Sequence, residues 1–174
     1  MSTATVSASK SAMSTHEMAL AAKHASRLLA PLDEATRNAA LQAMARALEA
    51  ASADLMAANA KDMHAAETAS GEDKLPPAML ARLKLSPVKL SEMVEQVRSV
   101  AALPDPLGRT LDAVELDDKD AAGARDAAHG LYLQKISVPL GVLAVIFEAR
   151  PDAVTQIAAL ALKSGNAVIL KPGS

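Results

Sequence analysis

Apolar residues recur every three or four positions through most of the first hundred residues, and this period predicts helices. A first helix is expected from His16 to Ala30, because Pro31 cannot continue it. Asp33 is a suitable N-cap for the apolar period that follows. That period predicts either one long helix or two helices that are broken near Ser52.

Prolines and a serine mark the next helix starts. A short helix is expected from Ala78 to Leu83, after the Pro76-Pro77 pair. Ser86 then caps a longer helix with proline in its first turn, and this helix stops before LPDPLG, residues 103–108. The apolar stripes are interpreted as ordinary core and not as a groove for a partner. They consist of Met18, Ala21, Ala22, Ala25, Leu28, Leu29, Leu41, Met44, Leu48, Leu55, Met56, Met63, Leu90, Met93, Val94, Val97 and Val100.

The pattern changes after the helices. From Gly108 to Gly130 the sequence is polar, which predicts a loop or the exposed end of a hairpin. LYLQKISV then alternates enough for a half-exposed strand. VLAVIF, residues 142–147, is apolar at every position, so we expect a strand that is buried on both faces.

A second strand follows after one more helix. This helix is expected to start at Arg150-Pro151-Asp152 and to end at Ser164-Gly165, with glycine as the C-terminal cap. Its core face is expected to carry Val154, Ile157, Ala158, Ala161 and Leu162. Residues 167–171 are expected to form the second buried strand. A helical crossover of this length predicts that the two strands are parallel.

Parallel strands end at the same edge of a sheet, and the helix between them begins there. Glu148 and Arg150 follow the first strand, and Lys171, Pro172, Gly173 and Ser174 follow the second. The free N–H groups at the helix start favour an anion at this edge, although Asp152 offsets part of that field. We therefore predict that these six residues form a binding site.

Simpler interpretations of the same residues remain open. Glu148 and Arg150 can pair with each other as loop charges, and Lys171 can be a solvated end of a strand. The sequence contains neither GxGxxG nor GxxxxGK[ST], so it encodes no Gly-rich phosphate loop. The four histidines have no spacing typical of a metal site and are interpreted as surface residues: His16, His24, His64 and His129.

Composition narrows the function classes. The sequence is 51% hydrophobic but only 1% aromatic, so its core must consist of Ala, Leu, Val and Met, which favours packed helices. A net charge of -2 with mixed signs offers no basic face to nucleic acid. No apolar run approaches the roughly 20 residues that span a bilayer. The lack of cysteine fits a reducing compartment, so a cytoplasmic location is expected.

Two buried parallel strands need further strands and cover on both faces. We therefore expect the chain to be the front part of a longer α/β protein. The phrases VPLGV, EARPDAV, ALALKSGNAVIL, MLARLKLSPVKL and LPDPLGR resemble the aldehyde dehydrogenase superfamily, and within it the gamma-glutamyl phosphate reductase family. The resemblance covers residues 18–174. It implies an α/β fold in which N-terminal helices precede the first βαβ unit of an aldehyde-dehydrogenase-like Rossmann domain, here truncated.

The resemblance also implies an activity, and together with the Ser-, Thr- and Ala-rich start of the sequence it predicts a division of the chain into parts. The expected parts are a disordered leader (1–15), a helical region (16–107), a polar loop with the strand of an oligomerisation arm (108–138) and an incomplete NADPH-binding βαβ unit (139–174). The implied activity is NADPH-dependent reduction of L-glutamyl 5-phosphate to L-glutamate 5-semialdehyde and phosphate, in proline biosynthesis. A homo-oligomer and glutamate 5-kinase are candidate partners; neither nucleic acid nor a membrane is expected.

The resemblance gives roles to individual residues. Lys171 matches the cation that reaches the adenosine ribose, where it would suit a 2′-phosphate. Glu148 and Arg150 match the turn beside the active crevice, and we expect them to shape the cofactor or substrate pocket. Gly165 and Asn166 match a turn that is interpreted as structural. The catalytic cysteine of the family has no counterpart in this sequence, so no catalytic residue is assigned and the chain alone is expected to be inactive.

The sequence departs from the family pattern in two places, and two alternative functions remain open. Residues 117–131 are longer than the usual hairpin of the family, which puts the assembly contact in doubt. The sequence ends before the rest of the nucleotide domain, which puts cofactor affinity in doubt. One alternative is another acyl or aldehyde dehydrogenase with a different substrate. The other is a non-catalytic helical module that self-associates.

Overall fold

The computed structural model describes residues 13–70, 75–116, 131–148 and 150–173. Five helices come first, two antiparallel strands follow, and a strand–helix–strand unit comes last. The predicted fold class, α/β with N-terminal helices before a βαβ unit, is confirmed. The elements are α1 (Thr15–Leu29), α2 (Glu34–Ala50), α3 (Ser52–Thr68), α4 (Pro77–Leu83), α5 (Pro87–Ala102), β1 (Thr110–Leu116), β2 (Leu131–Ile136), β3 (Val142–Phe147), α6 (Pro151–Lys163) and β4 (Ala167–Pro172).

Side-chain caps explain where three helices begin. Ser14 and Glu17 form a capping box at α1, in which the Glu17 amide donates to Ser14 Oγ at 3.2 Å. Asp33 Oδ1 accepts from the Thr36 amide at 2.8 Å, and Ser86 Oγ accepts from the Lys89 amide at 3.2 Å. The hydrogen bond that Thr36 donates also lowers the pKa of the Asp33 carboxyl.

The predicted helices agree closely with the observed ones. The apolar period after Asp33 is two helices, because α2 ends and α3 begins around Ala51, one residue before the predicted break. Helix α1 begins at Thr15, so the last residue assigned to the leader is helical. Residues 1–12 of the predicted leader lie outside the described residues.

The main core lies between α2, α5 and α6. Its six buried members come from these three helices, which interlock through small and branched side chains: Leu41, Ala45, Val94, Val97, Ala101 and Ala159. A second cluster joins α3 to α5 through Leu85, Leu90 and Met93, against which Leu55 and Met56 pack. The prediction that the α1 stripe is core is wrong: Met18, Ala21 and Leu28 are exposed, and the other three members are only half-buried. Helix α1 packs mainly along β4, so Leu28 falls outside its contact face.

A buried polar network fastens α2 to the end of α6. Arg37 is 2% exposed and donates to the carbonyl of Lys163 and to Asp105 Oδ2, both at 2.6 Å. The Lys163 ammonium, also buried, donates to Glu34 at 2.8 Å and to Asn38 at 2.9 Å. Within the described residues, every buried side-chain nitrogen and oxygen has a partner, so the buried charges are compensated.

The same network lowers the pKa of the Asp105 carboxyl. Partial burial disfavours the charged carboxylate and tends to raise its pKa. Hydrogen bonds from the Leu107 amide and from Arg37 outweigh this, so the pKa of Asp105 lies below its usual value.

Strands β1 and β2 form an antiparallel two-stranded sheet in which Val114 lies opposite Leu133. Strand β2 was predicted. Of the two predictions for the region from Gly108, a loop is wrong over Thr110–Leu116, which is strand β1, whereas a hairpin agrees with the antiparallel pairing of β1 and β2. The weak alternation of TLDAVEL hides this strand, because its apolar side chains Leu111 and Val114 are exposed. Residues 117–130, where the prediction placed the polar loop and His129, lie outside the described residues.

Strands β3 and β4 pair in parallel, with Val142 opposite Ala167, as predicted. The prediction that β3 is buried on both faces is wrong. Its residues alternate between exposed and half-buried, and Ile146 is 78% exposed. Helices α1 and α6 make only limited contact with β3, so the uniform apolar run does not translate into burial among the described residues.

His16, His24 and His64 are exposed. Among the described residues, no group of three His, Cys, Asp or Glu side chains is arranged to hold a metal ion. No helix of the described part of the chain is both long and apolar enough to cross a membrane.

Candidate functional site

Strands β3 and β4 end side by side, which brings two predicted segments to one edge. Phe147 pairs with Pro172, and the Gly173 amide donates to the Phe147 carbonyl at 2.7 Å. The residues that follow β3 therefore lie beside those that follow β4. This juxtaposition is the consequence of parallel pairing that the sequence predicted.

Gly173 approaches Glu148 closely. A Cβ atom added to Gly173 would lie 2.9 Å from Glu148 Cγ and 3.5 Å from Glu148 Cα. Any larger residue at position 173 would have to displace the Glu148 side chain. Glycine thus lets the two strand ends meet.

A cavity of about 640 Å³ opens at this edge, within the range of small-molecule sites. One wall is the carboxyl edge of β3 and β4 with the start of α6. The other wall comes from α3, α4 and the segments that flank α4. The cavity is lined by Leu55, Ala58, Asn59, Asp62, Leu75, Met79, Leu83, Leu85, Phe147, Glu148, Arg150, Pro151, Val154, Pro172 and Gly173.

Four of the six predicted site residues line this cavity: Glu148, Arg150, Pro172 and Gly173. Lys171 is exposed at the end of β4 and is not part of the lining; its ammonium donates to the carbonyl of Pro172 at 2.7 Å. Ser174 lies outside the described residues.

The start of α6 faces the cavity. Arg150 is its N-cap in extended conformation, Pro151 is the first helical residue, and no side chain of the described residues caps this end. The first-turn N–H groups thus keep the partial positive charge of a helix start. Val154 was predicted to face the core, but it is 40% exposed and lines the cavity. The start of α6 therefore contributes both polarity and apolar surface to the site.

The far wall was missed by the sequence reasoning. Its α3 residues follow helical spacing, at positions 55, 58, 59 and 62; of these, only Leu55 belonged to the predicted apolar stripe, which was interpreted as core. Asn59 is the buried polar member of the wall: its Nδ2 donates to the Leu83 carbonyl at 2.9 Å, and its Oδ1 accepts from the Leu85 amide at 2.8 Å. These partners lie about 25 positions away along the chain, so no local pattern in the sequence signals this wall.

The turn after α6 is structural, as expected. Gly165 has φ +66°, which favours glycine, and its amide donates to the Leu162 carbonyl at 3.1 Å. The backbone N–H of Asn166 donates to the Ala161 carbonyl at 2.8 Å, which completes a Schellman motif at the end of the helix. The side-chain Oδ1 of Asn166 accepts from the backbone N–H of Gly141 at 2.8 Å. These bonds tie the end of α6 to the starts of β3 and β4.

Comparison with curated proteins shows a consistent set of relatives. The chain is 49% identical over 154 residues to "Gamma-glutamyl phosphate reductase" of Natronomonas pharaonis, covering 88% of this chain and 33% of that protein. It is 41% identical over 162 residues to the protein of the same name from Pelotomaculum thermopropionicum, covering 93% of this chain and 34% of that protein. The chain thus spans about a third of the length of the curated relatives it matches. No protein-family model matches the chain.

Solved structures give the same result. The gamma-glutamyl phosphate reductase of Saccharomyces cerevisiae superposes with a TM-score of 0.80 at 35% identity, covering 94% of this chain and 38% of that one. The enzyme of the same name from Thermotoga maritima gives a TM-score of 0.78 at 27% identity, covering 91% of this chain and 34% of that one. The resemblance inferred from sequence motifs is therefore confirmed in both sequence and fold.

Proposed function

We propose that this chain, which is homologous to gamma-glutamyl phosphate reductases, forms the opening part of the nucleotide-binding region of such an enzyme. The activity is NADPH-dependent reduction of L-glutamyl 5-phosphate to L-glutamate 5-semialdehyde with release of phosphate, in proline biosynthesis. The observation that carries this proposal is 49% identity over 154 residues to a protein of that name. An identity this high, together with a matching fold, favours the same chemistry over that of a more distant aldehyde dehydrogenase.

The residues at the carboxyl edge suit a phosphorylated dinucleotide. Lys171 places an ammonium at the end of β4, and Arg150 places a guanidinium beside the uncapped start of α6. Both cations and the helix N–H groups favour anionic phosphate. NADPH would supply the hydride. The proposed cofactor-binding residues are Lys171, Pro172, Gly173, Ser174, Glu148 and Arg150, of which Glu148 and Arg150 border both the cofactor and the substrate.

Lys171 has the most defined part in this proposal. Its ammonium now meets only the neighbouring carbonyl of Pro172 among the described hydrogen bonds, and its side chain is exposed. An exposed lysine can turn to a ligand without breaking a buried contact. We assign it to the 2′-phosphate that distinguishes NADPH from NADH.

The thiolate that attacks the acyl phosphate must come from outside this sequence, which has no cysteine. We therefore expect no turnover from the 174-residue chain alone. In the proposed enzyme, this chain would orient the cofactor and one side of the substrate. Steady turnover of glutamyl phosphate and NADPH by the purified chain would contradict this assignment.

A chimera tests the activity directly. Residues 13–173 would replace the corresponding third of the Thermotoga maritima reductase, and NADPH oxidation would be followed with glutamyl phosphate. The proposal predicts turnover that requires the acyl phosphate. A folded chimera that binds NADPH but prefers another acyl phosphate would favour the alternative acyl or aldehyde dehydrogenase. A folded chimera that ignores NADPH would overturn the proposal.

Assembly and location belong to the same proposal. The β1–β2 sheet exposes Leu111, Val114, Tyr132 and Leu133, and such an apolar ribbon suits the arm of a homo-oligomer. A cytoplasmic location and an interaction with glutamate 5-kinase stay predictions. Sedimentation of the chimera would test the homo-oligomer.

A further inference from the structure

The far wall of the cavity has a chemistry that differs from the strand edge. Leu55, Ala58, Asn59 and Asp62 lie on one face of α3, because their positions are three or four residues apart. Leu55 and Ala58 supply apolar surface. Asp62, one turn beyond Asn59, adds an exposed carboxylate to the lining.

Asn59 gives this wall a fixed position. Its side-chain amide spans from α3 to the backbone on both sides of Lys84, since it bonds the Leu83 carbonyl and the Leu85 amide. Lys89 Nζ holds the same segment from α5, through the Arg82 carbonyl at 3.1 Å and the Lys84 carbonyl at 3.3 Å. The wall that carries Asp62 is therefore tied to its neighbours by side-chain hydrogen bonds.

The cavity lining carries charges of both signs, so it favours a ligand that also has charges of both signs. The described lining carries two carboxylates, Asp62 and Glu148, but a single cation, Arg150. Lys171 lies outside the lining. A ligand with an ammonium group, a short aliphatic stem and a carboxylate would satisfy both signs of charge and the apolar surface. The two carboxylates make the α3 side of the cavity less favourable for the dinucleotide phosphates than the strand end that carries Lys171.

We infer that the α3 wall recognises the amino-acid end of the substrate, an inference that rests on the proposed function. Asp62 is the specificity-determining residue, and it binds the α-ammonium group of the substrate. Arg150 faces the α-carboxylate, and the leucines of α3 and α4 contact the methylene groups. The dinucleotide then lies toward Lys171, on the other side of the strand ends.

Two five-carbon probes test this inference on the full chain. L-glutamate carries the α-ammonium group, and glutarate is the same dicarboxylate without it. Each would be titrated into ¹⁵N-labelled chain while amide shifts are followed. We expect L-glutamate to shift amides that line the cavity and to bind at least about threefold more tightly than glutarate, as an accessible ion pair allows. Asp62→Asn should remove most of that preference.

Asp54→Asn is the matched control, because Asp54 is exposed on the same helix but does not line the cavity. It should keep the preference for L-glutamate. The inference is overturned if L-glutamate leaves the cavity amides unshifted, if glutarate binds equally well, or if Asp62→Asn keeps the preference. A parallel titration with NADPH separates the two proposals, since a response to L-glutamate without one to NADPH would overturn only the cofactor assignment.

Discussion

The helical core and the strand region differ in how far their apolar side chains are buried. Leu41 and Val97 in the core between α2, α5 and α6 are almost fully buried, whereas Ile146 on β3 is largely exposed although its strand is just as apolar. The three helices close their core with one another. Strand β3 instead leaves Val142 and Ile146 exposed, because few elements of the described residues pack against it. Apolar content therefore predicts that an element forms, whereas the elements packed against it determine how deeply it is buried.

The largest effect is expected from breaking the buried network of the core. Arg37→Ala leaves Asp105 and the Lys163 carbonyl without their guanidinium partner. Removing one member of a buried pair costs about 3–5 kcal/mol of unfolding free energy, which urea denaturation would measure. Arg98→Ala is the control, because the ion pairs of Arg98 are exposed. An equal loss in both variants would refute the distinction between buried and exposed pairs.

A truncation in each region measures the burial difference itself. Leu41→Ala creates a cavity in the closed core and should cost about 2–5 kcal/mol. Ile146→Ala removes a side chain that is mostly solvated and should change stability by less than about 0.5 kcal/mol. Similar losses in the two variants, compared by urea denaturation, would mean that β3 is covered in solution.

The turn that joins the two regions should give an intermediate effect. Gly165→Ala forces a Cβ into the left-handed region and to 2.9 Å from Leu107 Cδ1. We expect a loss of about 1–2 kcal/mol from backbone strain alone, read from the thermal midpoint. Gly108→Ala is a matched control, since Gly108 has φ +68° but open space around it. A smaller loss of stability in Gly108→Ala than in Gly165→Ala would measure the cost of the contact with Leu107. A larger loss in Gly108→Ala would contradict a cost from that contact.

The smallest effect concerns pH. The folded-state pKa of Asp105 is lowered, so its contribution is complete above the ordinary aspartate value of roughly 4 and is lost as pH falls through the lower folded value. Stability should therefore decline below about pH 4, and the decline should be shallower in Asp105→Asn. Unfolding curves from pH 5 to pH 2 would measure it. Parallel declines in both proteins would exclude Asp105 as a cause.

Local chemistry made much of the fold predictable. Ser86 with Pro87 marked the start of α5, and Gly165 marked the end of α6, because caps and glycine turns act within a few residues. The parallel pairing of β3 and β4 followed from the length of the helix between them. The same reasoning placed Glu148 and Arg150 at one edge with Gly173.

Long-range contacts account for what sequence reasoning missed. The Asn59 bonds to Leu83 and Leu85 join residues about 25 positions apart, so no local pattern announces that α3 and α4 wall the cavity. Strand β1 was missed because it pairs with β2 across a long stretch of sequence and leaves Leu111 and Val114 exposed. The solvated face of β3 likewise depends on which elements cover it, not on its own residues.

Lys171 offers the most direct test of the central proposal, that the carboxyl edge of β3 and β4 binds NADPH. In the chimera with the Thermotoga maritima reductase, KM would be measured for NADPH and for NADH, with and without Lys171→Ala. Loss of a charge-assisted contact to the 2′-phosphate should raise KM for NADPH by about tenfold and leave KM for NADH unchanged. An equal change for both cofactors, or none for either, would contradict the assignment.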